Sequence, residues 1–426
     1  MSANRLQEIW KNIEPWAAAC DAAAAELADE QIGVRRHLHA HPEPSGVEYE
    51  TTRFIMQRLR TAGIDARTCR NTQGEEVGVI ADVSLGATRA HDAASPARTI
   101  ALRADIDALR MPDQKDVPYA SQNEGVCHAC GHDAHTSILL AAVLAAQSSR
   151  DAESVSRFPR PVTLRFLFQP AEETAEGAHW LVEQDAMQGV SAVLGLHVDP
   201  ERKAGTVGVR YGVLTAHCDE VEFIVDGHGG HAARPHHTID PIAAASHLVG
   251  ALHTFLPRSV DSRNASVFTI GKISGGYAAN VIPEKVQLWG SLRSTLLENQ
   301  DTLRARIVAI CEGAERTTGA RISVRFVQPI KGVYNHPRIA AALDFASQNV
   351  LGPELVQIID LPSMGGEDFS VYLDHAPGAM LRLGCAAQVE NPPFLHSPVF
   401  DIDERALNVG TRILLHAAML LACDLA

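Results

Sequence analysis

Several familiar functional signatures are missing from this 426-residue chain. It has no run of clustered Lys and Arg, and its formal net charge is -14. Nucleic acid and anionic membrane surfaces both demand such cationic clusters, so neither is an expected partner. No segment reads as the ~18 apolar residues of a membrane-spanning helix. The stretch from Ser2 to Asp29 is broken by Arg5, Glu8, Lys11, Glu14, Asp21 and Glu26, which leaves no apolar centre for a signal peptide. The eight cysteines have no regular spacing, and a chain of this size needs no disulfide staples. The run Gly227-His228-Gly229-Gly230-His231 lacks both the Lys-Ser/Thr of a phosphate-binding loop and the spacing of a dinucleotide fingerprint. Internal repeats and heptads are also absent. The expectation left standing is a cytoplasmic protein that acts on small molecules.

What is present begins with 46% apolar residues, enough for packed cores, in a length that suggests two domains. Helices are expected near Asp29 to His39, Glu48 to Ala62 and Thr136 to Ala146. Strands are expected at Thr99 to Leu102, Val162 to Phe168 and Ala192 to His197. This alternation predicts an α/β fold built on a mixed sheet, with ligands at the strand ends. After Tyr211-Gly212 the rhythm changes. Strands at Asp219 to Val225, Val267 to Ile273, Lys285 to Leu292 and Arg321 to Val327 alternate with helices at Pro241 to Phe255 and Thr302 to Thr317. The resulting β-α-β-β-α-β order suits a ferredoxin-like α+β unit. Candidate ligands lie on both sides of it, so residues 213-328 read as an insertion into a catalytic domain made of 1-212 and 329-426. Asp240 followed by Pro241 marks a helix start, the first as cap and the second where its missing N–H is harmless. Gly86 to Arg98 and Ser148 to Pro161 read as polar surface loops.

The densest chemistry lies in Cys127-His128-Ala129-Cys130-Gly131-His132-Asp133-Ala134-His135. A matching pair of carboxylates, Glu172-Glu173, follows an apolar strand, and His197 and His396 stand in short strand-end contexts. Amide hydrolysis at neutral pH needs an activated water, a base and positive charge for the developing oxyanion. Two metals about 3.5–4 Å apart can supply the first and last of these. Cys130, His132, Glu173, His197 and His396 form the expected ligand set for two divalent ions. Thiolate beside imidazole suits Zn²⁺, and imidazole with carboxylate also accepts Mn²⁺ or Co²⁺. Adjacent glutamates cannot face one ion alike, which points to Glu173 as ligand and Glu172 as general base. Asp105 and Asp107 are placed to orient a ligating histidine. The bland readings stay open beside these: redox or structural-zinc roles for the Cys127/Cys130 pair, and a solvated helix start for Glu172-Glu173. His37, His39 and His41 read as caps or core polar groups, and His128 and His135 as structural or supporting residues. His231, after two glycines that permit close backbone approach, reads as functional.

Cys130-Gly131-His132-Asp133, Glu172-Glu173, Gly195-Leu196-His197, Gly230-His231-Ala232, Met364-Gly365-Gly366-Glu367-Asp368-Phe369 and His396-Ser397-Pro398 occur in this order. With them the chain resembles the aminoacylase/carboxypeptidase family of cocatalytic metallopeptidases. More narrowly, it resembles the amidohydrolase subfamily that includes hippurate hydrolases, aminobenzoyl-glutamate hydrolases, N-acetyldiaminopimelate deacetylases and auxin-conjugate hydrolases. The resemblance implies a two-metal catalytic domain and an inserted lid that also mediates formation of a homodimer or higher oligomer. It implies that His231 enters the partner subunit's site to stabilise the oxyanion, a contribution worth about 3–4 kcal/mol. It further implies that Asn280, Arg293 and Gly366 meet the substrate, with a bidentate Arg293 favouring a carboxylate. Two departures stand out. Asp105-Ile106-Asp107 replaces the His-x-Asp of the wider family, and Arg110 stands where members often have Pro. The expected reaction is cleavage of an N-acyl or N-aroyl amino acid. Deamination of an aromatic amine at the same metals and non-catalytic metal-dependent binding are the alternatives.

Overall fold

The computed structural model describes residues 3–85, 98–152, 158, 161–388, 390 and 392–424. The expected loop at Gly86 to Arg98 falls almost wholly outside these residues, and that at Ser148 to Pro161 in part. The chain divides into two compact units, one made of Met1–Gly212, Tyr334–Leu361 and Asp368–Ala426, the other of Val213–Val333 with Pro362–Glu367.

The first unit is built on an eight-stranded mixed sheet. Its centre is parallel: Arg98–Asp105 lies between Val162–Gln169 and Val190–Lys203, and Gly378–Ala386 continues the parallel set. Asp65–Arg70 and Glu76–Leu85 add an antiparallel edge. The central strands read as near-continuous apolar runs, Ile100–Leu102 and Phe166–Phe168 among them, because both of their faces are covered. One covering element is the His132–Ser148 helix, buried along most of its length. It packs against the Ala28–Ala40 and Arg405–Asp424 helices, and its alanines let these neighbours approach closely. The helix begins a full turn before the expected Thr136. Gly131, at φ 85°, turns the chain into it, and a Cβ there would lie 2.4 Å from Val198 Cγ2, so both conformation and space call for glycine.

Two further elements go beyond the sequence reading. The Ala-rich N-terminal stretch forms one helix, Ala3–Glu26, whose Ile9, Ile13, Trp16 and Cys20 enter the core. The Arg405–Asp424 helix is long and apolar enough to cross a membrane, contrary to the reading that no segment reaches that length. It serves as a core helix, with 78% of its most apolar window buried.

The second unit is a four-stranded antiparallel sheet in the order Ser266–Gly275, Lys285–Ser294, His217–Asp226, Arg321–Ile330. With the Pro241–Phe255 and Leu297–Thr318 helices inserted, this is the βαββαβ arrangement. Alternate residues Val221, Phe223 and Val225 of the central strand turn into a core shared with Leu248, Leu252, Leu303 and Ile307 of the helices. Asp240 caps the first helix by accepting from the Ile242 and Ala243 amides, as the sequence indicates. The second helix starts at Leu297, five residues before the expected Thr302. The unit ends at Val333 rather than residue 328 because the Leu214 amide donates to Val333 O at 2.8 Å. Pro362–Glu367 returns to it through Ser363, whose amide donates to Leu214 O at 2.8 Å.

Candidate metal centre

Strand register brings residues distant in sequence together at the C-terminal ends of the first unit's central strands. Asp105 pairs with Gln169, so Ile106-Asp107 and Ala171-Glu172-Glu173 leave the sheet side by side. Arg103 pairs with Gly195, which carries His197 to the level of Asp105. The His396 amide donates to Ala129 O at 2.8 Å and ties the C-terminal loop to the Cys/His segment. Ala171 and His396 hold positive φ values of 51° and 61°. For residues with a Cβ this conformation is uncommon and concentrates at functional sites.

The donor atoms of Cys130, His132 and His197 lie within 4.8 Å of one another, as do those of Cys130, Glu173 and His396. All five expected ligands are thus gathered, with Cys130 common to both groups. Glu172 joins His132 and Glu173 in a third such group, its Oε2 3.9 Å from His132 Nε2. Two of the imidazoles, those of His132 and His197, are oriented from behind. His132 Nδ1 lies 3.0 Å from Asp107 O and 3.1 Å from Asp107 Oδ1. His197 Nδ1 donates to Val198 O at 2.7 Å. In both rings Nε2 therefore points into the cluster. Asp107 also accepts from Ser45 Oγ and from the Glu173 amide, so one carboxylate sets both a histidine and the glutamate beside it.

Asp105 departs from expectation. It lies 2.6 Å from His135 Nδ1 and receives Arg103 Nη1 at 2.7 Å, while His132 Nε2 is 3.8 Å away. His135 Nε2 in turn accepts the Val198 amide at 2.9 Å. Asp105 therefore supports the backbone just after His197 rather than the ring of His132. Sequence reasoning left His135 undistinguished. Its signal was the i,i+3 spacing from His132, legible only once the helix start at His132 is known. Glu48 was also missed. Its buried carboxyl accepts the Gly46 and Ala171 amides at 2.9 and 2.8 Å and so holds the loop that carries the two glutamates.

The electrostatics fit a cation. His132 Nε2 and Glu173 Oε1 are buried without a hydrogen-bond partner, and such orphaned atoms call for an ion or water. Burial, with Glu173 adding to it, raises the Cys130 thiol well above its usual range. Burial opposes charge on His132, yet Asp105 and Cys130 outweigh it and raise the imidazole. Burial keeps His197 neutral by lowering it far below the usual histidine value. A neutral imidazole, a thiol that needs a cation to ionise and two unpaired donors together make a suitable set for divalent metal.

In the second unit the expected substrate-contacting residues fall into two groups. His231 pairs with Val281 on a short ribbon, and the Ala232 amide donates to Asn280 O at 3.1 Å, so His231 and Asn280 share one exposed corner. Arg293 Nη1 donates to Met364 O at 2.6 Å and Nε to Ser291 Oγ at 3.1 Å, beside the segment that contains Gly366.

Residues 101–420 match the model of peptidase family M20/M25/M40. The chain belongs to this family. It is 39% identical to a probable hydrolase of Synechocystis over 93% of this chain and 96% of that protein. It is 37% identical to the N-acetyl-L-cysteine deacetylase of Bacillus subtilis over 92% of this chain and 88% of the relative. A Bacillus subtilis structure described as a dinuclear metal binding peptidase from the M20 family superposes with a TM-score of 0.75. That match has 30% identity and covers 93% of this chain and 99% of the other. Within the M20 family the chain falls among the amidohydrolases and is a hydrolase acting on C–N bonds.

Proposed function

We propose that this chain is a cytoplasmic, homodimeric amidohydrolase that holds two divalent ions, Zn²⁺ or Mn²⁺ with Co²⁺ as a substitute, and cleaves N-acyl or N-aroyl amino acids. The gathering of Cys130, His132, Glu173, His197 and His396 donors beyond the ends of the central strands carries this reading. The names of the deacetylase and the dinuclear peptidase relatives agree with it. Two ions held by these residues would supply Lewis acidity to the water nucleophile and the amide oxygen. Glu172 takes the proton of the attacking water as the C–O bond forms, and returns it to the leaving nitrogen as the C–N bond breaks. The products are a carboxylic acid and a free amino acid. Asp107 fixes the His132 ring and the Glu173 backbone throughout. His231, entering from the partner, stabilises the oxyanion. Asn280, Arg293 and Gly366 bind the substrate, the Arg293 guanidinium meeting its carboxylate.

The deciding experiment is a panel of N-acetyl, N-benzoyl and aminobenzoyl amino acids together with aminobenzoates. Protein stripped by chelator is reloaded separately with Zn²⁺, Mn²⁺ and Co²⁺ before assay. Metal-restored release of a free amino acid is the expected result. Release of ammonia alone from an aminobenzoate would replace amide hydrolysis with aromatic deamination, and full metal loading without turnover would leave a binding protein.

A further inference from the structure

Behind the catalytic cluster the first unit contains another group of buried donors. His39, Asp113 and Cys127 place their ligand atoms within 4.8 Å of one another, and none of the three belongs to the cluster around Cys130. The His39 and Cys127 side chains are fully buried and that of Asp113 is 3% exposed. His39 Nδ1 lies 2.6 Å from Asp133 Oδ2, with Arg35 Nη2 farther off at 3.4 Å. A carboxylate at that distance only accepts, so Nδ1–H donates to it and Nε2 is the ring nitrogen left to face Asp113. Nε2 has no hydrogen-bond partner and lies 3.5 Å from Asp113 Oδ2. The adjacent His128 is buried with both ring nitrogens unpaired, its ring centroid 6.2 Å from that of His39. The unpaired His39 Nε2 beside one thiol and one carboxylate, with the unpaired His128 ring next to them, calls for an occupant.

We propose that His39, Asp113 and Cys127 form a second, structural site for a soft divalent cation such as Zn²⁺, distinct from the catalytic pair. The carboxylate-backed His39 is the arrangement that orients and strengthens imidazole ligands. Thiolate, imidazole and carboxylate are a zinc-type donor set, and the Cys127 thiol proton leaves to solvent as the ion binds. The site already attracts positive charge. Lys115 Nζ stands 2.9 Å from Asp113 Oδ1 and 3.6 Å from Cys127 Sγ. The ammonium is thus the competitor that an incoming ion displaces from the thiol, while Asp113 Oδ2, which also accepts the Ser121 amide, faces His39.

The test uses the full chain, loaded with Zn²⁺ alone, desalted and assayed for metal content. The wild type is expected to retain one equivalent more than Cys127→Ala, and the variant's hydrolytic activity is expected to be unchanged. With Co²⁺, the thiolate-to-metal charge-transfer band is expected to survive in Cys130→Ala and to vanish when Cys127→Ala is added. Lys115→Met, which removes the competing ammonium, covers the case in which Cys127→Ala fails to fold. It should slow zinc loss to chelator at least tenfold. Equal zinc content in wild type and Cys127→Ala, no cobalt band in Cys130→Ala, or unchanged zinc loss in Lys115→Met would each overturn the proposal, leaving ordered water as the occupant.

Discussion

At Glu172 and Glu173 two identical side chains receive different surroundings. Glu173 has its amide bound by Asp107 and its Oε1 3.4 Å from His396 Nε2, whereas Glu172 turns its Oε2 towards His132 Nε2 at 3.9 Å. Glu172→Gln keeps the shape and removes the base, so kcat is expected to fall about 10²–10⁴-fold with metal content unchanged, as assayed by turnover and elemental analysis together. Asp107→Asn disturbs the group behind His132 and Glu173, and titration with a competing chelator should show metal binding weakened about 10–100-fold. The Cys/His segment, the glutamate pair and the two outlying histidines were legible as residues because few other chemistries need those types in such density. Asp105 and Asp107 were legible as orienting carboxylates, but which ring each one backs was not. Asp105 and Asp107 look equivalent in sequence, and only the positions of His132 and His135 on their helix decide which carboxylate meets which ring.

Among the elements, the turn into the His132–Ser148 helix and the loop after Gln169 do most to set the site. At Gly131 a side chain would meet Val198 and must also adopt φ 85°. Gly131→Ala is expected to cost about 2–4 kcal/mol in denaturant unfolding and to lower metal occupancy in the folded fraction. Under the second loop, burial and then the neighbouring Asp107 push the Glu48 carboxyl up to about 8. The native state therefore keeps a proton that the unfolded chain gives up near its ordinary value of about 4. Stability contributed by this group is present below that value and declines as pH rises towards about 8. Glu48→Gln retains an acceptor for the Ala171 amide without the charge. Thermal unfolding from pH 5 to pH 8 should then show a shallower decline than in the wild type, and an equal decline would contradict this account. Element type was readable along most of the chain from apolar period. The boundaries were less so, because a glycine in the left-handed region can start a helix without the usual side-chain cap.

For the molecule as a whole, assembly is the remaining question. Ser266–Gly275 lies at the edge of the second unit's sheet and exposes Val267 and Ile273, the latter by 59%. An edge of this kind is a template for pairing with another copy. If the proposed homodimer pairs through this edge, Ile273→Glu shifts it to monomer in light scattering, and activity falls with it where His231 acts across subunits. A monodisperse dimer with full activity would place the interface elsewhere. From sequence alone came the α/β character, the inserted βαββαβ segment and the residue types of a metal-dependent hydrolase, because apolar period and ligand chemistry are local properties. Tertiary structure decided the rest. It placed the apolar Arg405–Asp424 helix in a core, extended the insertion to Val333 and returned Pro362–Glu367 to it. It also parted Cys127 from Cys130, sending one thiol to His39 and Asp113 and the other to His132, His197 and Glu173. Strand register and backbone handedness determine these outcomes, and both depend on contacts between segments far apart in the chain.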